Sequence, residues 1–144
     1  MTRLEDFLKL NKNRQICTIS KNQSVRQALI LMSENNIGAI IVVDNNDSPI
    51  GIFSERDYAR KIVLKGKSSK DTLLDEVMTK ELITITRDNK IDQCMEIMNE
   101  KGIRHLPVLE NEKIIEIISI RDVLKIMMKE QKELIDHLQK FITS

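Results

Sequence analysis

The sequence predicts a mixed α/β chain of the α+β kind. It reads as two tandem β-α-β-β-α units, a helix ahead of them and an extended helix behind. Three observations carry this. Ile50-Gly51-Ile52-Phe53-Ser54-Glu55-Arg56-Asp57-Tyr58 reappears as Ile115-Glu116-Ile117-Ile118-Ser119-Ile120-Arg121-Asp122-Val123, with Ser, Arg and Asp in register. Earlier phrases also recur: Cys17-Thr18-Ile19-Ser20 aligns with Ile83-Thr84-Ile85-Thr86, and Val25-Arg26-Gln27-Ala28-Leu29 with Ile91-Asp92-Gln93-Cys94-Met95. The offset is 66 in these early phrases and 65 in the late one. The change falls at the polar turns 44–49 and 110–113, where length changes are tolerated. Repetition of this kind decides the fold before any single motif does.

Each element has a local reason. Leu4, Phe7 and Leu8, with Leu10 beyond, form the apolar stripe of a short helix, which Asn11-Lys12-Asn13-Arg14 ends. Residues 16–19 read as an extended segment. Ser24 caps a helix whose apolar face is Val25, Ala28, Leu29 and Met32, and Asn35-Asn36 stops it. Residues 39–43 are a continuous apolar run of strand length, 44–49 a turn, and 50–53 the returning strand. Ser54 then opens a helix to about residue 64. Residues 65–70 are a polar linker, and Asp71 or Thr72 caps a short helix through Val77. The second unit repeats the plan with a helix at 90–99, strands at 106–109 and 114–118, and a helix from Ser119.

That last helix runs on. Leu124, Met127 or Met128, Leu134 or Ile135, Leu138, and Phe141 or Ile142 keep an apolar stripe close to heptad spacing. The part beyond about residue 129 is expected to pack on the N-terminal helix, on a second subunit, or on both, since isolated helices of this kind do not persist. The expected divisions are 1–14 lead-in, 15–65 first unit, 66–80 linker, 81–128 second unit and 129–144 helical extension.

Composition narrows the function classes. The chain has 144 residues, a net charge of +1 and 41% hydrophobic residues, enough for a core shared by two units that would each be marginal alone. Aromatic residues make up 3% and no long basic run is present, which argues against reading nucleic acid by stacking or by phosphate tracking. No apolar stretch approaches the ~20 residues of a membrane span. Cys17 and Cys94 form no CxxC pair and read as free thiols of a reducing compartment, so a cytoplasmic protein without membrane or nucleic-acid partners is expected. No Walker loop, metal-ligand cluster or nucleophile with a base is visible, and an enzyme is not expected.

Two tandem β-α-β-β-α units, each ending in a strand followed by Ser-x-Arg-Asp, resemble a pair of CBS domains. The phrases Gly51-Ile52-Phe53-Ser54-Glu55-Arg56-Asp57-Tyr58-Ala59-Arg60-Lys61, Glu76-Val77-Met78-Thr79 and Ile103-Arg104-His105-Leu106-Pro107-Val108 look like those of small stand-alone bacterial CBS-pair proteins. The resemblance covers about residues 10 to 128. It implies two units related by a pseudo-twofold axis, a disc-like homodimer, and two clefts that take an adenosine-containing ligand: AMP, ADP, ATP, NAD or S-adenosylmethionine. Carried over residue by residue, it implies that one cleft holds Ser54, Arg56 and Asp57 with Leu82, Ile83, Thr84, Arg104 and His105. The other would hold Ser119, Arg121 and Asp122 with Ile16, Cys17, Thr18, Gly38 and Ala39. The sequence departs from the family pattern at Arg121 and Glu116, where glycine is usual. The Arg121 side chain could cover its cleft or add a phosphate contact.

The residue types suit that chemistry. An ionised Asp57 or Asp122 can accept from both ribose hydroxyls, and a first-turn carboxylate is favoured by the helix dipole. Ser54 and Ser119 at helix starts offer a hydroxyl and free N–H groups to a phosphate, while Arg104 and Arg56 bring positive charge. The basic lining at Arg104-His105 suits a more anionic ligand than the neutral Gly38-Ala39. The same Ser-x-x-Asp is also an ordinary helix start, and His105 reads as packed or phosphate-adjacent rather than catalytic. The expectation is therefore a sensor of AMP or NAD(H), with no metal, acting on an unknown downstream protein. The alternative is a helix-mediated interaction protein with vestigial clefts.

Overall fold

A computed structural model describes residues 3–10 and 16–143. The elements are α1 (Leu4–Leu10), β1 (Thr18–Ser20), α2 (Val25–Glu34), β2 (Ala39–Val43), β3 (Pro49–Ser54), α3 (Glu55–Asp57), a π-helical turn (Tyr58–Val63), α4 (Leu74–Val77), α5 (Ile91–Lys101), β4 (His105–Glu110), β5 (Lys113–Ser119) and α6 (Ile120–Thr143). They fall into two units, residues 16–82 and residues 83–144 with the N-terminal segment. The expected helix end at 11–14 lies outside the described residues, as does the Leu10 side chain.

In the first unit β1 runs parallel to β2, and β2 antiparallel to β3. All five residues of β2 are buried, as its continuous apolar run requires of a strand covered on both faces. Its core gathers Ile19, Val25, Ala28, Ile40, Val42, Phe53, Ile62 and Leu74. Ser24 caps α2 by accepting from the Gln27 N–H (3.1 Å), and Asn36 takes the left-handed conformation beyond its end (φ 52°). Gly102 fills that place after α5 (φ 65°).

The second unit keeps the hairpin, β4 antiparallel to β5, over a core of Ile85, Ile91, Cys94, Leu106, Val108, Ile118 and Val123. The ladder irregularity at Val42/Val43 recurs at Val108/Leu109. The opening strand does not recur: residues 82–84 form none, and only Ile85 bridges Val108. Pro107 stands where the first unit has Ile41, and a proline has no N–H to contribute to a parallel ladder.

Two further differences concern helices. The run opened by Ser54 is three α residues followed by a π-helical turn, closed by the Leu64 N–H to the Ala59 carbonyl (3.1 Å). The short helix before the second unit starts after Leu73, not at an Asp71 or Thr72 cap, because neighbouring main chain replaces the cap. Its Leu74 and Asp75 N–H groups donate to the Gln23 and Lys21 carbonyls (3.0 and 3.1 Å).

α1 repeats that arrangement in the second unit, where the Leu4 and Glu5 N–H groups donate to the Asn89 and Arg87 carbonyls (2.9 and 3.2 Å). Each short helix thus caps the half of the chain it does not directly precede. Leu4 and Leu8 join the core that contains Val123, Ile126 and Met127. Beyond residue 130 every described position of α6 is exposed, so α1 does not cover the extension.

Burial pushes the Cys94 thiol up to about 11 from 9.0. The folded state therefore holds the proton more tightly than the unfolded chain. Stability from this source is complete below pH 9 and falls as pH rises toward 11. Urea unfolding of wild type should weaken across that window by on the order of 2 kcal/mol more than in Cys94→Ala. Parallel pH profiles would remove Cys94 as the cause.

Candidate functional site

The phrase that repeats in sequence builds the same corner in both units. Ser54 is the last residue of β3, still extended (φ −122°, ψ 166°), and the chain turns into helix at the next residue. The Glu55 N–H donates to the Gly38 carbonyl (3.1 Å), and Ala39 is the cross-strand partner of Ser54. In the second unit the Ile120 N–H donates to the Arg104 carbonyl (2.8 Å), and His105 faces Ser119 across the ladder. Strand end and helix start are thus held together by the two residues at the entry to the partner strand, Gly38-Ala39 at β2 and Arg104-His105 at β4.

The carboxylates close both corners. Asp57 Oδ2 accepts from the Ser54 N–H (3.0 Å) and hydroxyl (3.1 Å), and the Asp57 N–H donates to Ser54 Oγ (3.2 Å). Asp122 Oδ2 accepts from the Ser119 N–H and hydroxyl (both 2.9 Å), and the Asp122 N–H donates to Ser119 Oγ (3.1 Å). These are reciprocal helix caps, so the structural use of Ser-x-x-Asp is realised in both units.

The other carboxylate oxygen distinguishes them. Asp57 Oδ1 accepts from the Thr79 hydroxyl (3.2 Å) and pairs with the Lys61 ammonium (3.1 Å). Lys61 also donates to the Val77 carbonyl (2.9 Å) and to Thr79 Oγ1 (3.2 Å). Among the described residues Asp122 Oδ1 has no partner. Position 126, which matches Lys61, is isoleucine.

Residues 77–79 reach Asp57 because Thr79 pairs with Ile52 along the free edge of β3, N–H to carbonyl in both directions (2.9 and 2.8 Å). Gly51 permits the approach: a Cβ there would lie 2.7 Å from Met78 Sδ and 2.9 Å from the Thr79 carbonyl oxygen. The matching residue in the second unit is the buried Glu116, whose carboxylate accepts from the Ile117 N–H (2.9 Å).

The expected site residues therefore separate as follows. Ser54, Arg56, Asp57, Gly38, Ala39, Ile16, Cys17, Thr18 and Leu82 lie in the unit 16–82. Ser119, Arg121, Asp122, Ile83, Thr84, Arg104 and His105 lie in the other. Arg104, Arg121, Thr18 and Thr84 are exposed, and Ala39 is buried. Lys61 and Thr79 were not among the expected residues; the Asp57–Lys61 spacing of four was the available signal. Among the described residues no group of His, Cys, Asp and Glu side chains is placed to hold a metal ion.

The family model for the CBS domain matches twice, over residues 6–64 and 74–129. A CBS domain-containing protein of Arabidopsis thaliana, the mitochondrial CBSX3, is 37% identical over 84% of this chain. The chain spans 61% of that relative's length. A putative signal-transduction protein with CBS domains from Burkholderia ambifaria superposes with a TM-score of 0.84 at 42% identity, covering 90% of this chain and 96% of the other. The CBS domain pair of protein MJ0100, solved in complex with 5'-methylthioadenosine and S-adenosyl-L-methionine, shares the fold at 23% identity. Its TM-score is 0.78, over 90% of this chain and 98% of that one.

Proposed function

This chain belongs to the CBS-domain family as a tandem pair, and from that premise we propose that it senses an adenosine-containing ligand, AMP or NAD(H), without catalysing a reaction on it. The observation that carries this reading is the duplicated carboxylate corner. A ribose diol needs an ionised acceptor held rigidly, and Asp57 and Asp122 are both held by the main chain of the preceding strand end. The complex of the MJ0100 pair with two adenosine derivatives supports the ligand class. Ser54 and Ser119 would turn their hydroxyls to a phosphate, and Arg56, Arg104 and Arg121 would supply its counter-charge. The output passes to another protein through a change of conformation or assembly, which a ligand can drive only by binding one state better than the other.

The test is a thermal-shift panel of AMP, NAD, NADH, ATP and S-adenosylmethionine on wild type, Asp57→Asn and Asp122→Asn. Asn keeps an acceptor for the cap and removes the charge. AMP or NAD(H) should stabilise wild type by about 2.7 kcal/mol at a hundredfold excess over the dissociation constant. Each variant should lose part of that effect and the double variant all of it. A panel without any shift in wild type sinks the sensor reading.

A second reading has its own support in the exposed apolar side of α6, which includes Leu134, Ile135, Leu138, Phe141 and Ile142. We assign that surface to a homodimer. Two free thiols, Cys17 and Cys94, fit a reducing compartment, and the cytoplasm is the proposed location. Among the described residues no helix is long and apolar enough to cross a membrane.

A further inference from the structure

We infer that Lys61 and Thr79 form a clasp that couples ligand occupancy at Asp57 to the docking of the linker segment 77–79, and that the Asp122 corner has no such coupling. The inference rests on the ribose-binding reading of Asp57 and adds to it the means by which that corner reports.

A carboxylate offers about four acceptor positions. At Asp57 all four are engaged: by the Ser54 N–H, the Ser54 hydroxyl, the Thr79 hydroxyl and the Lys61 ammonium. A diol brings two O–H donors and must displace two of these. The Ser54 N–H is fixed by the main chain, and removing the ammonium would leave Lys61 without its counter-charge, facing only the Val77 carbonyl and the Thr79 hydroxyl oxygen. The two hydroxyls are the cheapest to displace, since each can rotate to another partner. Losing the Thr79 hydroxyl removes a side-chain tie between the linker and the ligand corner. What remains is the Thr79–Ile52 main-chain pair and the Lys61 bonds to the Val77 carbonyl and Thr79 Oγ1.

Independent features point to the same device. The π-helical turn Tyr58–Val63 carries Lys61, whereas the matching part of α6 is regular and places Ile126 there. Single π turns are rare and concentrate where a side chain is aimed for a purpose. Gly51 leaves room for Met78 and Thr79 against β3, and the second unit has Glu116 in its place. Ligand, clasp and linker therefore meet in one unit only. At Asp122 a diol finds Oδ1 without a partner among the described residues and displaces nothing that holds a connecting segment.

Amide hydrogen exchange at Thr79 and Ile52, followed by NMR with and without saturating AMP, tests the coupling in wild type and Lys61→Met. Calorimetry on the same samples reports binding. AMP should speed exchange at Thr79 in wild type by about tenfold, a coupling of ordinary size. Lys61→Met, which removes both Lys61 bonds to residues 77–79, should show faster exchange without ligand, and AMP should speed it further, because the Thr79–Asp57 bond that the diol displaces is still present. A variant that merely packed less well would lose protection at Ile40 and Val42 too, which should stay unchanged. Binding of AMP with Thr79 protection unaltered in wild type overturns the clasp and leaves the sensor standing. An equally protected Thr79 in Lys61→Met overturns it as well. No heat of binding in wild type overturns both readings together.

Discussion

Phe53→Ala should lower the unfolding free energy by about 3–5 kcal/mol, the range for removing a fully buried aromatic side chain. Phe53 is fully buried, opposite Ile40 on β2, in the core that also holds Ile19, Val25 and Ile62. The neighbouring β2 is buried along its whole length, so little freedom exists to close the cavity. Phe53 also immediately precedes Ser54, and the same cavity undermines the strand end from which Asp57 is held. A net stability of 5–15 kcal/mol leaves small reserve against such a loss. Urea titration should show the midpoint falling steeply with the slope unchanged, and ligand-dependent stabilisation falling with it. A change below about 1 kcal/mol would mean that Phe53 does not hold the centre of its core.

Deleting residues 130–144 should convert the protein from dimer to monomer at micromolar concentration, with a much smaller effect on the fold of each chain. Among the described residues the deleted segment contributes no buried one, so the cores remain complete. It carries Leu134, Ile135, Leu138, Phe141 and Ile142, the last two 79% and 80% exposed. Five such side chains amount to several hundred Å² of apolar surface, roughly comparable with the ~800 Å² that each partner buries in a standard interface. Monomeric proteins seldom expose a patch of that extent. Sedimentation of the full chain should give a dimer mass, and the shortened chain should dissociate at least about a hundredfold more readily, a difference near 2.7 kcal/mol. A full chain that sediments as a monomer at every concentration contradicts the dimer. A shortened chain that stays dimeric places the interface elsewhere.

Particular residues show what could be read in advance. The hairpins and α2 follow from patterns that are local: a buried run at 39–43, a capping Ser24, turn residues between strands. The N-terminal helix was visible as a stripe, but its partner was not, because amphipathicity gives a face and no address. The signal was present in Leu4-Glu5-Asp6-Phe7-Leu8 and Leu74-Asp75-Glu76-Val77-Met78, a pair 70 positions apart where the other repeats are 66 or 65 apart. The missing opening strand of the second unit was written in Pro107, which weighs on pairing only once the neighbouring segment is known.

The candidate site divides in the same way. Ser54, Asp57, Ser119 and Asp122 stood out because a duplicated phrase keeps its polar residues while apolar ones drift. Their reciprocal caps then followed from spacing alone. Lys61 and Thr79 did not stand out, since 18 positions separate them and only the linker's return along β3 brings them to one carboxylate.

The sequence by itself determined the repeat, the order of its elements and the two capped carboxylates, because periodicity, capping and turn chemistry act over a few residues. Tertiary structure decided which half each short helix covers, which strand fails to form, and that Asp57 is clasped while Asp122 Oδ1 stays without a partner among the described residues. Those outcomes depend on which main-chain donors and acceptors meet across long stretches of chain, and local pattern carries no record of that meeting.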